Sequence, residues 1–209
     1  MKESRHTARR RRTEEAIILA ATELFVRDGF ARTSMAEVAA RADVAERTVY
    51  LRFETKVRLF QRVIEYGIVG DADALPLPQR QWSISAFSAP TLEERIRAFA
   101  DGVGEMNDRL APLMAINGEV EMGEPAVQES ARRWRRDTVD FLRSFWGQAK
   151  SDGLLPAEAD VDWLAETSVV LSAAESRLLI ARSLDWTSAE YRDWIVTTWT
   201  RLASVSIRG

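Results

Sequence analysis

Cysteine is absent, and histidine occurs once, as His6 in a charged N-terminal stretch. The first absence removes disulfides, thiolate metal sites and cysteine nucleophiles, and the two together remove serine–histidine triads and most zinc chemistry. An enzyme built on this chain has carboxylates, lysine, tyrosine or a borrowed cofactor to work with; no resident metal or cofactor is expected. Long apolar runs are missing too. No stretch reaches the ~18 residues of a membrane-spanning helix, and the opening MKESRHTARRRR lacks the apolar segment of a secretory signal. The chain is therefore expected in the cytoplasm, with no membrane partner. It also has no glycine-rich phosphate loop, no internal repeat and no segment with the period-two alternation of a strand.

What is present is helical pattern and unevenly spread charge. Apolar residues make up 46% of 209 positions, enough for a sizeable core. Residues 1–60 hold 13 Lys and Arg against 9 Asp and Glu, a balance of +4; the other 149 hold 16 against 23, a balance of −7, and the two sum to −3. A basic head on an acidic body fits a module that contacts nucleic acid joined to one that does not.

The most informative stretch is 33–56, TSMAEVAARADVAERTVYLRFETK. Its apolar positions Met35, Val38, Ala39, Ala42, Val44, Val49 and Phe53 form two short helix-period runs broken at 41–44, the pattern of a helix, a tight turn and a second helix. Ser34 with Glu37 three residues on is a capping box opening the first run. The second run, 46–53, buries Val49 and Phe53 and turns Arg47, Thr48, Tyr50 and Arg52 elsewhere. A short helix offering a cation, a hydroxyl and a phenol suits the major groove, where arginine grips guanine and hydroxyls hold phosphates.

Residues 13–60 resemble the DNA-binding domain of TetR-family transcriptional regulators. The matching anchors are AATELF at 20–25, GF at 29–30, TS at 33–34, EVA at 37–39 and TVYLRFETK at 48–56. The resemblance implies an all-α protein of about nine or ten helices: a three-helix helix-turn-helix domain, 13–56, followed by a larger helical ligand-binding and dimerisation domain, 57–209, with helix 57–69 linking the two. It implies double-stranded DNA with a palindromic operator as partner, a small-molecule effector, and Thr33, Ser34, Glu46, Arg47, Thr48, Tyr50 and Lys56 as the DNA-facing set. Arg47 reads a base; Thr33, Thr48, Tyr50 and Lys56 hold phosphates. The chain departs from the family pattern twice. Asp43 stands where the turn usually has glycine, a residue type that tolerates left-handed backbone better than most. Ala45 stands where a capping serine is common, so Asp43 is the alternative cap.

Around this centre, residues 1–12 read as a disordered basic arm, either a solubility tail or a phosphate or minor-groove contact. Residues 13–28 read as an amphipathic helix stopping at Asp28-Gly29. The proline-rich segment 70–90 is a connection whose Trp82, Ile84 and Phe87 pack on the larger domain, with room for a short helix. Thr91 and Glu94 open a helix through Met106; a separate short helix covers 110–122; another runs from about 127 to 149. Its Arg132, Arg133, Arg135 and Arg136 read as a solvated or ion-paired face. Two last helices, about 159–182 and 188–206, the latter capped by Thr187 and Glu190, are by resemblance the homodimer interface.

The acidic domain offers Phe99, Met106, Met114, Trp134 and Phe141 as pocket-lining candidates, beside the reading of the same side chains as core. The expected function is a homodimeric repressor whose DNA affinity falls when a small apolar or amphipathic ligand binds. Two other readings stay open: a helical interaction scaffold that binds no DNA, and a carboxylate enzyme using Glu119 and Glu121.

Overall fold

A computed structural model describes residues 5–70 and 77–204, and among them every regular element is a helix. In order these are α1 Arg5–Asp28, α2 Met35–Arg41, α3 Glu46–Phe53, α4 Lys56–Val69, a single 3-10 turn Leu77–Gln79, α5 Gln81–Ser88, α6 Leu92–Gly123, α7 Pro125–Ser151, α8 Val161–Ser172, α9 Ala174–Leu184 and α10 Ser188–Ser204. The chain divides into two compact units, Met1–Ala74 with Pro112–Ser130, and Leu75–Ala111 with Ala131–Gly209.

The first unit grows from local signals. α1 ends where Gly29 takes φ +85 and donates its N–H to the Phe25 carbonyl at 2.9 Å, a left-handed stop that glycine adopts without a Cβ clash. The Ser34–Glu37 box forms in full: Glu37 N–H donates to Ser34 Oγ, and Ser34 N–H and Oγ both donate to Glu37 Oε2. Ile17, Ile18, Ala21, Phe25, Val38, Ala39, Val49, Leu59 and Phe60 make the core, with the rings of Phe25, Phe30 and Phe60 within 5.3 to 5.6 Å of one another. Burying each such ring is worth about 1.5–3 kcal/mol.

The second unit is built on an aromatic centre. Phe99 of α6, Phe145 and Trp146 of α7, and Tyr191 and Trp199 of α10 are buried together, and Phe99 lies 4.6 Å from Trp199 between ring centroids. Trp146 Nε1 donates to Ser168 Oγ of α8 at 3.0 Å, which gives the buried indole its partner. α5 joins this centre through Trp82, whose ring lies so close to the α6 backbone that a Cβ on Gly102 would overlap it.

Four expectations are revised. The basic stretch is not a disordered arm: from Arg5 onward it is the first part of α1, residues 1–4 lying outside the description. Arginine and alanine are strong helix formers, and extending a packed helix avoids the nucleation cost. The helices expected at 91–106 and 110–122 are one, α6, with Pro112 inside it; residues 106–110 hold no stop signal, and the proline is absorbed at the cost of one hydrogen bond. The helix expected at 159–182 is two, broken at Ala173 with φ −67 and ψ 148. The carbonyls left open by the break are taken by side chains, one local and two distant: Ser176 Oγ donates to Val170 O, Tyr191 OH to Leu171 O and Asn107 Nδ2 to Ser172 O. Finally, Ile84 stays 46% exposed, while Trp82 and Phe87 pack against the aromatic centre as expected.

Candidate nucleic-acid interface

α3 is a short helix with one face buried and one open. Val49 and Phe53 point into the unit, and Ala45, Glu46, Arg47, Tyr50, Leu51 and Glu54 are exposed. Positions 46, 47, 50, 51 and 54 fall on one stripe of a 3.6-residue helix, so the open side chains form one continuous reading edge. It offers a guanidinium, a carboxylate, a phenol and an apolar group, the set that hydrogen-bonds base edges and touches thymine methyls. Leu51 is the residue that sequence reasoning passed over. At 74% exposure it is among the most open large apolar side chains, and the signal was its position four residues beyond Arg47.

The N-terminus of α3 has no side-chain cap. Ala45 is the N-cap with no side-chain hydrogen bond, so Asp43 does not substitute for the missing serine. Asp43 instead makes the turn, at φ 53, in the left-handed region where aspartate replaces glycine at modest cost. Glu46 is exposed at the first position, where its charge favours the helix N-terminus.

Two residues expected on phosphates are engaged elsewhere. Thr33 is buried and its hydroxyl donates to Gly29 O at 2.9 Å. Lys56 Nζ donates to the carbonyls of Phe30, Ala31 and Thr33 at 2.8, 3.3 and 3.0 Å, and sits 4.4 Å from the centre of the Phe30 ring. An ammonium has three N–H donors, and all three hold the loop between α1 and α2. Both residues thus brace the motif from inside. Ser34 is committed to its capping box, which holds the Glu37 carboxyl below its ordinary pKa through the Ser34 hydroxyl and then the Ser34 amide. Thr48 is half-buried on the flank of α3, and Tyr50 is 47% exposed on its open edge.

Residues 17–63, which carry α2, α3 and the turn between them, match the family model described as bacterial regulatory proteins, tetR family. That stretch is a domain of the tetR family. The chain is 29% identical over 170 residues to the HTH-type transcriptional repressor BepR of Brucella suis biovar 1, covering 78% of this chain and 76% of that one. In fold it is similar to the fatty acid degradation regulator FadR of Bacillus halodurans, with a TM-score of 0.71 at 14% identity over the whole of both chains. It is similar also to a TetR-like transcriptional regulator of Rhodococcus sp. RHA1, with a TM-score of 0.62 at 17% identity over 98% of this chain and 100% of that one. The protein is a DNA-binding transcriptional regulator, and its α2–turn–α3 segment is the helix-turn-helix. Among the described residues no helix is long and apolar enough to cross a membrane.

Of the expected pocket residues, Phe99, Met106 and Phe141 belong to one aromatic cluster. Phe99 and Phe141 lie 6.3 Å apart, but Phe99 is 4% exposed and sealed among Trp82, Phe145 and Trp199, which makes it core. Phe141 and Met106 are half-buried against that core, and Trp134 is half-buried on α7. Met114 belongs to the other compact unit.

Proposed function

We propose that this regulator is a homodimeric repressor acting in the cytoplasm, whose α3 helices read the two half-sites of a palindromic operator and whose grip is loosened by a small apolar or amphipathic ligand. The open edge of α3, with Arg47, Tyr50 and Leu51 exposed side by side over buried Val49 and Phe53, carries the reading. One eight-residue helix touches only a few base pairs, so useful discrimination needs two, about 34 Å apart on one face of the duplex. Arg47 is assigned to a base edge, Tyr50 and Thr48 to backbone oxygens, and Leu51 to apolar contact.

The pairing surface is assigned to α8, α9 and α10. Val170 and Leu179 are each 65% exposed on α8 and α9, which supports an apolar patch awaiting a second copy, while the outward positions of α10 are the polar Asp193, Thr197, Thr200 and Arg201. The BepR relative is itself a repressor by name, which supports that sense of regulation. For the effector, half-buried Met106 and Phe141 are the better contacts than sealed Phe99. Such a ligand acts only through different affinities for the DNA-competent and DNA-incompetent states. Glu119 and Glu121, two apart on α6 and so on different faces, are given no catalytic role.

The test is binding of the purified protein to its own upstream intergenic DNA, titrated at several salt concentrations. Tight binding that needs both half-sites and falls steeply with log salt is the expected result. Absence of binding to this DNA and to genomic fragments at every salt would instead favour a helical interaction scaffold.

A further inference from the structure

A cleft of about 440 Å³ opens beside the flank of α3, lined by Arg9, Arg10 and Thr13 of α1 and by Thr48, Leu51 and Arg52 of α3. Its walls carry three guanidinium groups and two hydroxyls, and no carboxylate. Arg9, Arg10 and Thr13 share one face of α1, as Thr48, Leu51 and Arg52 share one side of α3. Arg52 has one acidic neighbour, Glu14, at 3.9 Å, and that carboxylate is already engaged by Arg62 at 3.2 Å. Three guanidinium groups around one cleft raise its positive potential, and no carboxylate of the lining offsets it. Because residues 5–12 are helical, the backbone that carries Arg9 and Arg10 is ordered before any partner arrives, and only their side chains are left to order on binding.

We infer that this cleft is a second backbone-phosphate site, taking a phosphodiester of the operator strand that runs beside the groove read by α3. The inference rests on the reading of the chain as a DNA-binding regulator. Arg9, Arg10 and Arg52 donate to the two free oxygens of the phosphate, a pairing that arginine forks match well, and Thr48 donates its hydroxyl from the α3 side. Leu51 marks the boundary between this cleft and the reading edge, so one helix serves bases on one flank and backbone on the other. The contact carries charge but no sequence information. Its volume exceeds that of a phosphate alone and leaves room for part of the adjoining sugar.

The experiment compares the full chain with Arg9→Gln/Arg10→Gln and Arg9→Lys/Arg10→Lys variants, measuring affinity for the upstream DNA and a scrambled duplex between about 50 and 200 mM salt. One phosphate per protomer predicts that the glutamine variant loses about 2 from the log–log salt slope of the dimer. It weakens operator and scrambled DNA by the same factor, and the lysine variant keeps the wild-type slope. An unchanged slope in the glutamine variant overturns the inference, as does a loss confined to the operator, which would place the arginines in the support of α3. As a second measurement, neutral methylphosphonate is walked along the operator. The expected result is one sensitive position per half-site that loses its sensitivity in the glutamine variant; equal sensitivity in both proteins overturns the inference even if the variant is partly unfolded. Failure of the wild-type chain to bind any DNA is the distinct result that removes the underlying reading.

Discussion

The Lys56 ammonium directs its three N–H groups at the carbonyls of Phe30, Ala31 and Thr33, 26, 25 and 23 residues earlier in the chain. The family resemblance put this lysine at a helix start and on a phosphate; only the fold reveals that carbonyls from a remote loop reach it first. Lys56→Ala is therefore expected to destabilise the protein by about 1–3 kcal/mol, read as a lowered denaturant midpoint, with any loss of DNA affinity uniform across sequences. Arg47 behaves differently because its side chain is exposed on the open edge of α3. Arg47→Ala is expected to leave the midpoint unchanged and to remove about 1–3 kcal/mol of discrimination at one base pair per half-site, measured by competition with single-base operator variants. If base preference survives intact, the base-reading role belongs to Tyr50 or Leu51. A hydroxyl decides the acid response of the same motif. Glu37 is held below its ordinary pKa by the Ser34 hydroxyl and amide, so its contribution is present above the unfolded value of about 4.3 and is lost as pH falls through the depressed folded value. Ser34→Ala is expected to lower stability at pH 7 and to flatten the decline below pH 4, followed by pH-dependent unfolding.

At the scale of elements, the capping boxes were legible in full. Ser34 with Glu37, Thr91 with Glu94 and Thr187 with Glu190 all close as their spacing foretells, because a box involves only residues three apart. α3 lacks one, and that gap is also local. Its N-cap Ala45 already has the extended backbone of a cap, φ −67 and ψ 140, and is exposed. Ala45→Ser is expected to add about 1 kcal/mol by satisfying an open amide of the first turn, seen as a raised denaturant midpoint; no gain would mean that those amides are already satisfied by water at no cost. The helix breaks followed another logic. The interruption at Ala173 depends on Asn107 and Tyr191 reaching the carbonyls of Ser172 and Leu171, partners 65 and 20 residues away. Burial there also pushes the Tyr191 phenol up to about 12, so it remains a hydrogen-bond donor throughout the neutral range. Conversely, α6 runs through Pro112 where composition pointed to two helices, since flanking turns that pack well outweigh one missing N–H.

At the scale of the whole molecule, charge divides between a basic stretch, residues 1–60, and an acidic remainder. Reading a palindrome requires two copies, and exposed Val170 and Leu179 mark where the second copy is expected to sit. Leu179→Glu would bury a charge in that contact, which is costly unless paired. The expected outcome is a monomer by sedimentation, with the helical content of the wild type and DNA affinity reduced at least tenfold, since two linked half-sites reinforce each other well beyond either alone. A dimer that survives this substitution would move the interface off α9.

The amino-acid sequence by itself determined the helical class, the α2–turn–α3 motif, its caps and the burial of Val49 and Phe53, because each depends on residues within one or two turns. Tertiary structure decided what the polar side chains of that motif do. Thr33 and Lys56 turn inward to backbone carbonyls, Leu51 is left open, and Arg9 and Arg10 of α1 come to line one cleft with Arg52 of α3. Periodicity reports which face a residue occupies; only the packed chain fixes which distant donor or acceptor is within reach of that face.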